Sequence, residues 1–196
     1  MNSNLSKLKN LIFYGSLLIS VYLALTHQTR LLGTMALYLL TLVIFTKPLA
    51  RLFPTLGIFK ILLTIRRETG QASAFAAFGH VASQVFPGLS VFNLLGFALA
   101  GGPSSFQFWG FWAFVLIIPL FLTSNDFSTH LLKRNWFHLH KLIHPLYIFA
   151  MLHVGLQKGY LGLVKYVIVL LILYLARALA ARGVKFFAPS PPQPVI

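Results

Sequence analysis

Residues 136–155 read WFHLHKLIHPLYIFAMLHVG and carry four imidazoles in a strongly apolar segment, those of His138, His140, His144 and His153. Lys141 is the one charged residue in this segment. A polar ring inside hydrocarbon costs free energy unless it is paired, so an imidazole at that depth is a candidate for function. The segment therefore predicts a membrane helix whose histidines have a ligand or a hydrogen-bonding partner.

The composition of the whole chain supports a membrane setting. Hydrophobic residues make up 58% of the 196 residues and charged residues only 9%, with a mean hydropathy of +0.81. Ordinary soluble domains contain about 25% charged residues. A helix needs about 20 apolar residues to cross a bilayer, so six spans with short connectors use up the chain. No separate soluble catalytic domain is left.

Six apolar runs define the predicted organisation. They lie at about 11–26, 31–46, 69–86, 108–123, 139–157 and 163–181. We predict an all-α polytopic membrane protein whose residues 1–188 form a six-helix bundle, with the first run retained as a span. The connectors at 48–67 and 87–107 contain Pro and Gly turn residues and are predicted to be loops. Residues 189–196, PSPPQPVI, are predicted to be a disordered Pro-rich tail.

The distribution of charge predicts the orientation of the bundle. Sixteen Lys and Arg face two acids, Glu68 and Asp126, which gives a net charge of +14. The basic residues fall mainly between apolar runs, a pattern that favours lipid headgroups over nucleic acid as the partner. Only Arg30, Lys158 and Lys165 lie on the side opposite the N-terminus. The excess predicts that both termini lie in the cytoplasm.

The absence of cysteine limits the available metal chemistry. It excludes thiolate-ligated clusters and covalent haem attachment through cysteine, so ligands must be nitrogen or oxygen. His80 lies in the third run and His153 in the fifth, at heights that differ by about 3 Å when counted from the outer ends of the helices. Two neutral imidazoles converging in an apolar bundle suit low-spin haem iron. The alternative is an interhelical hydrogen bond between structural histidines.

The other histidines have less defined roles. His140 precedes His153 by 13 residues, which places the two about 140° apart on an ideal helix, although a kink at Pro145 would change that angle. His140 is therefore either a further ligand or a structural residue. His144 is interpreted as a supporting or packing residue beside the cofactor. We predict that His138 is interfacial and that His27 and His130 are solvated.

Four segments resemble the ferric reductase-like transmembrane domain family. They read FTKPLARLF, IRRETGQASAFAAFGH, LTSNDFSTHLLKRNWFHLHKL and LHVG. Within the family they are most similar to the MsrQ-like haem-binding membrane subunits of periplasmic methionine sulfoxide reductase systems. The resemblance implies that His80, His140 and His153 are associated with haem b, and that His80 and His153 are the axial pair of the outer haem.

The chain departs from the family pattern in three places. Two-haem members carry an inner histidine where this chain has Arg66-Arg67, so one haem is predicted and a second is left open. Glu68-Thr69 replaces an expected apolar pair, and His144 replaces an expected aromatic residue. The resemblance also implies FMN as a further cofactor, and a basic cluster could neutralise its phosphate; anionic lipid headgroups are the alternative ligand of that cluster. The cluster comprises Lys47, Arg51, Arg66 and Arg67.

The predicted function is that of a membrane b-type cytochrome, an electron-transfer subunit rather than an enzyme on its own. Electrons would enter from the quinone pool or a cytoplasmic flavin reductase. By resemblance, they would leave to a periplasmic molybdenum-containing reductase that repairs oxidised methionine, with 87–107 as the docking surface. Two alternatives remain: a ferric or oxygen reductase component working with a separate flavoprotein, and a haem-free transporter or scaffold.

Overall fold

A computed structural model of the chain describes residues 3–85, 88 and 90–186, and the predicted tail at 189–196 lies outside the described residues. Within the described part the regular structure is entirely helical. The α-helices are α1 (Ser3–Leu25), α2 (Thr29–Leu52), α3 (Gly57–Thr64), α4 (Arg66–Val85), α5 (Val91–Ala100), α6 (Phe106–Leu122), α7 (Asp126–Leu132), α8 (Arg134–Leu139), α9 (Ile143–Gln157) and α10 (Gly159–Ala181).

Each predicted apolar run coincides with a helix, although not every helix has the character of a membrane span. Among the described residues, α1, α2, the continuous segment Arg134–Gln157 and α10 are long and apolar enough to cross a bilayer. A fifth span results if α6 and α7, which meet at a 90° bend, are counted together. The all-α membrane class is confirmed with four to five candidate spans.

Helix α4 does not have the composition of a lipid-facing span because it is enclosed by other helices. It begins with two arginines and a glutamate, and small residues such as Ala74 and Ala76 are almost fully buried. A Cβ on Gly79 would lie 3.1 Å from the Ser20 carbonyl oxygen of α1, so the two backbones are close. Ser73 donates a 2.8 Å hydrogen bond to the Ala36 carbonyl of α2. Protein contacts replace lipid here, which removes the need for a continuously apolar surface.

The principal core lies between α2, α4, α6, α9 and α10. Tyr147 of α9 is 1% exposed at its centre, and its hydroxyl donates a 3.1 Å hydrogen bond to Thr41 Oγ1 of α2. Leu173 of α10 is equally buried. This core holds α4 and α9 in register with each other, and these are the helices that carry His80 and His153.

Both predicted loops contain a helix. Helix α3 begins at Gly57, and α5 ends before Gly101 after an N-cap in which Ser90 Oγ accepts the Phe92 N–H. The turn residues delimit these short helices and do not interrupt them, which is why the prediction of loops was wrong.

The segment that carries the four imidazoles is helical with one distortion. A 3₁₀ turn at His140–Leu142 separates α8 from α9. The distortion therefore precedes Pro145, which lies in the first turn of α9, where the missing N–H leaves no hydrogen bond unmade. The end of the bundle with Lys9, Arg51, Arg66 and Arg67 is called the basic end below, and the end with His80 and His153 the histidine end.

Candidate functional site

His80 of α4 and His153 of α9 face each other at the histidine end. Their ring centroids are 6.2 Å apart and their planes cross at 78°. Both side chains are half-buried. The predicted convergence of these two rings at similar height is observed, whereas their ligation of iron stays a prediction.

A backbone carbonyl orients each ring. His80 Nδ1 lies 2.8 Å from the Thr29 carbonyl oxygen, and His153 Nδ1 lies 2.8 Å from the Phe106 carbonyl oxygen. A carbonyl oxygen only accepts, so both Nδ1 atoms carry a proton, and in the neutral form of each ring the Nε2 atom keeps a lone pair. Histidines that ligate metals are held in this way, with the second nitrogen donating to a carbonyl or carboxylate.

A glycine one helical turn after each of these carbonyls makes room for the ring. A Cβ on Gly33 of α2 would lie 3.0 Å from His80 Nδ1, and a Cβ on Gly110 of α6 would lie 2.5 Å from His153 Nδ1. The two sites repeat one arrangement: a carbonyl in the first turn of a helix, then a glycine on which the imidazole lies. We name these the histidine cradles, Thr29/Gly33 and Phe106/Gly110.

The pair fits a haem iron in distance and in donor type. Two imidazoles bound to one metal at about 2 Å per bond have ring centroids roughly 6 Å apart, and the observed separation is 6.2 Å. Neutral histidine is an established axial ligand of haem iron. Gln84 Nε2 lies 3.3 Å from His80 Nε2, so this amide must turn away when the nitrogen binds a metal.

His140 does not join this pair. Its ring stacks on Trp136 with centroids 3.9 Å apart, and its Nε2 lies 3.1 Å from Thr123 Oγ1. Trp136 Nε1 in turn donates to the Thr123 carbonyl at 2.9 Å. Across the part of the chain that the structure describes, three or more metal-binding side chains do not converge anywhere. These contacts tie α8 to the end of α6, the structural alternative predicted for His140.

His144 contacts a residue that the sequence did not suggest. Arg177 Nη1 of α10 lies 2.6 Å from His144 Nε2. The guanidinium only donates, so His144 accepts through that nitrogen. His144 thus links α9 to α10 and does not lie beside His80 or His153. Its predicted role next to a cofactor stays a prediction.

The arginines proposed for phosphate binding already have partners. Arg66 Nε donates to the Val43 carbonyl at 3.0 Å, and Arg67 Nη1 lies 2.6 Å from Asp126 Oδ1. Arg51 and Lys47 are exposed on α2. The four residues lie at the basic end, but two of them are committed to other contacts. His27, His130 and His138 are exposed, as expected of solvated or interfacial rings.

The Arg67–Asp126 ion pair makes a prediction about pH. The Arg67 guanidinium lowers the pKa of the exposed Asp126 carboxyl below its ordinary value. The pair therefore stabilises the fold above the unfolded pKa of about 4, and that contribution is lost as the pH falls through the lowered pKa. We expect Asp126→Asn to unfold slightly below the wild-type temperature near pH 7, and this difference to shrink as the pH falls from about 5 to 3, because wild type then loses the contribution that the variant already lacks. Thermal unfolding in detergent, repeated across this pH range, measures how the unfolding temperature of each protein depends on pH. The same pH dependence in both proteins would contradict the assignment.

A column of phenylalanine rings runs through the bundle from the basic end. Phe13 of α1 contacts Phe75 with centroids 5.2 Å apart, and Phe75 contacts Phe121 at 5.3 Å. Phe121 contacts Phe78 at 5.2 Å, and Phe78 contacts Phe114 at 5.7 Å. Phe114 is one turn from the glycine under His153. The aromatic column therefore runs from the basic end through side-chain contacts to Phe114, one helical turn from a histidine cradle.

Comparison with known proteins agrees with this geometry. Residues 32–151, more than half of the chain, match the family described as ferric reductase like transmembrane component. The chain belongs to the ferric reductase-like transmembrane family. The family match ends two residues before His153. It includes His80, His140 and His144, and the arginines Arg51, Arg66 and Arg67 of the basic cluster.

Relatives within the ferric reductase-like family carry a more specific name. The chain is 48% identical over 44 residues to the protein-methionine-sulfoxide reductase heme-binding subunit MsrQ of Xanthomonas campestris pv. campestris. The same identity and length hold for MsrQ of Xanthomonas euvesicatoria pv. vesicatoria and Xanthomonas axonopodis pv. citri. The matched segment covers 22% of this chain and 20% of the relative. The chain thus spans about a fifth of these curated relatives, and no solved structure is significantly similar to it.

Sequence reasoning found both facing histidines and missed what positions them. Gly33 and Gly110 each stand one turn into a helix that begins near the histidine end, and each is followed or preceded by large apolar residues. An isolated glycine inside an apolar helical pattern signals close approach of another group. The segments RLLGTM, with Gly33, and FWGFW, with Gly110, carry that signal. The sequence does not show which side chain across the bundle approaches each glycine.

Proposed function

We propose that this member of the ferric reductase-like family is a membrane b-type cytochrome that carries electrons across the bacterial inner membrane. The observation that carries this conclusion is the His80–His153 pair, with both Nε2 lone pairs free of the carbonyls and both rings set at a haem-ligating separation. Six helices would span the bilayer: α1, α2, α4, α6, α8 with α9, and α10. Helix α4 is included because protein, not lipid, surrounds it.

The charge distribution supports the direction of transfer. The basic end holds the great majority of Lys and Arg and would face the cytoplasm with both termini, by the positive-inside rule. The histidine end would then face the periplasm. Electrons would enter at the basic end from a quinol or a cytoplasmic flavin and leave at the histidine end.

The chain's own residues would position and insulate the cofactor. Bound haem supplies a one-electron iron centre, and the protein controls that centre through its axial ligands and surroundings. Thr29 and Phe106 carbonyls hold Nδ1 of each ring, which leaves Nε2 as the ligating nitrogen. The aromatic column fills the interior with packed rings, so the path from the basic end contains no water-filled gap along these contacts.

One haem is assigned to the His80–His153 pair. His140 is engaged with Trp136 and Thr123, and Arg66 stands where a two-haem member would have the opposing ligand. A second haem and an FMN therefore remain predictions from the resemblance alone, as does a role for His144 and Arg51 in holding a cofactor.

The acceptor proposed is a periplasmic molybdenum-containing reductase acting on methionine sulfoxide. The name of the Xanthomonas relatives supports it, since they are heme-binding subunits of a protein-methionine-sulfoxide reductase. Helix α5 offers an uncharged surface for docking at the histidine end, with Phe92 and Phe97 exposed.

The acceptor is tested by re-oxidation of the reduced protein. We expect a purified methionine sulfoxide reductase of this class to re-oxidise the reduced haem at least tenfold faster than ferric citrate at equal concentration, because a docked acceptor reacts at short distance. Stopped-flow absorbance of the haem bands measures both rates. Faster oxidation by ferric citrate or oxygen would instead support a ferric or oxygen reductase component. A colourless preparation from haem-replete cells would support the haem-free transporter or scaffold.

A further inference from the structure

A polar cavity of about 240 Å³ lies at the basic end, between α1, α4 and the turn from α6 into α7. Both carboxylates of the chain line it, Glu68 and Asp126, together with Lys9 and Asn10. An adjoining cavity shares these four residues. We call this space the basic-end cavity. It opens beside α1, where Asn10 and Tyr14 are exposed.

Glu68 is an unusual residue in this position. It is only 9% exposed, and its Oε1 lies 3.6 Å from Lys9 Nζ. Its Oε2 is buried without a hydrogen-bond partner among the described residues. Buried polar atoms in native proteins are nearly always bonded, so an orphaned carboxylate oxygen at a cavity wall points to a missing donor. A ligand that presents an O–H or N–H would supply that donor.

The other walls narrow the class of ligand. Lys9 and Arg67 balance the charges of Glu68 and Asp126 across the walls, so the cavity has no net formal charge and favours a neutral ligand over free phosphate or a metal cation. Phe13 and Tyr14 provide aromatic surface, with ring centroids 5.2 Å apart. A flat ring bearing hydroxyl groups satisfies both features, since its face packs on the aromatic side chains and its O–H reaches Glu68. Phe13 is also the first ring of the aromatic column.

We propose that the basic-end cavity binds the hydroquinone ring of a membrane quinol and that Glu68 accepts a proton from it. This presupposes the electron-transfer function proposed above and names the entry site. Oxidation of the ring to a quinone breaks two O–H bonds and releases two protons and two electrons. Glu68 Oε2 would take the first proton, and the second would leave to solvent through the opening of the cavity beside α1. The two electrons would pass one at a time to a ferric haem held by His80 and His153, in two successive reductions separated by its re-oxidation.

Glu68 gives this chain an entry site of its own. The family resemblance leads to an apolar residue at this position, so the carboxylate is a feature of this sequence and not of the general pattern. The position suits electron transfer along the bundle, because Glu68 and His80 lie on one helix about 18 Å apart along its axis. The aromatic column occupies the space beside that helix.

The experiment uses the purified full chain with its haem and decylubiquinol as the probe. We expect Glu68→Gln, which keeps the shape and an acceptor oxygen but cannot take the proton, to lower the rate of haem reduction by decylubiquinol about 100-fold. Its oxidised spectrum and its reduction by dithionite should match wild type, and decylubiquinone should bind within about threefold in flow dialysis. Glu68→Asp restores the carboxylate and should recover most of the rate.

Two further variants complete the test. Phe13→Leu removes aromatic surface and should weaken decylubiquinone binding about tenfold, a readout independent of haem. His130→Gln changes an exposed titratable residue outside the cavity and serves as the matched control. Reduction of Glu68→Gln at the wild-type rate, or unchanged binding in Phe13→Leu, would overturn the assignment. A wild-type protein without haem bands would contradict the proposed function instead, and flow dialysis would still test the cavity.

Discussion

We expect His153→Ala and His80→Ala each to abolish the low-spin haem spectrum of the purified protein. Each change removes one of the two imidazoles that face each other 6.2 Å apart, and no other described side chain is placed to replace it. Loss of an axial ligand leaves the iron five-coordinate or the protein without haem, and either state lacks the sharp α and β bands of the reduced low-spin form. Absorption spectra of matched preparations, with extracted haem quantified against protein, measure the effect.

Three other histidines provide the controls. His27→Ala and His130→Ala change exposed rings and should leave haem content and spectrum unchanged. His140→Ala should keep the low-spin bands as well, because its ring contacts Trp136 and Thr123 and not the facing pair. A His80/His153 double variant that still held a bis-imidazole haem would refute the pairing while leaving the family assignment intact.

The second large effect is expected at the histidine cradles. In Gly110→Ala the new Cβ would lie 2.5 Å from His153 Nδ1 and 2.8 Å from Cε1, closer than unbonded heavy atoms approach. The ring must rotate or move away, and it then loses its alignment with the Phe106 carbonyl and with His80. Changes to groups that orient a ligand typically cost 10–100-fold in metal affinity, so we expect haem content to fall at least tenfold.

Gly33→Ala should have a smaller effect of the same kind. Its Cβ would lie 3.0 Å from His80 Nδ1, a contact that a shift of a few tenths of an ångström relieves. We therefore predict that Gly110→Ala loses more haem than Gly33→Ala. Haem titration of the two variants, with the reduced spectrum recorded at saturation, measures it.

Gly15→Ala in α1 is the matched control for both cradle variants. A Cβ at Gly15 meets nothing within 4 Å, and alanine favours a helix interior by about 1 kcal/mol over glycine. It should bind haem like wild type and unfold no earlier. Circular dichroism on all three variants distinguishes a displaced ring from a misfolded bundle. Wild-type haem content in Gly110→Ala would show that the cradles do not position the ligands.

The two ends of the bundle have different physical designs. At the histidine end, backbone carbonyls bond both imidazoles and glycines make room for the rings. At the basic end, charged groups are paired across helices, as in Arg67–Asp126 and Lys9–Glu68. The exposed Arg67–Asp126 pair suits a polar end of the bundle, because desolvating a charge inside a bilayer is costly. This asymmetry fits the proposed entry of electrons at the basic end and their exit at the histidine end.

Much of the architecture was predictable because it depends on one-dimensional patterns. Apolar runs mark the six main helices, and counting residues from the helix ends gives the height of a residue along the helix axis. His80 and His153 could therefore be placed at one level before any fold was known. Helix α4 shows the limit of that reasoning, since its polar composition has no explanation until α1 and α2 are seen to enclose it.

The partners of each side chain depend on neighbours distant in sequence. Which group meets His153 is decided by how α6 and α9 pack, and Phe106 and Gly110 lie more than 40 residues away from it. The same holds for His140 on Trp136, Arg177 on His144 and Asp126 on Arg67, each of which changed or sharpened an interpretation. The sequence by itself determined a helical membrane protein with two histidines at one height. Only the tertiary structure decided that they face each other with their Nδ1 atoms bonded, because rotation of helices about their axes is set by side-chain packing and not by hydropathy.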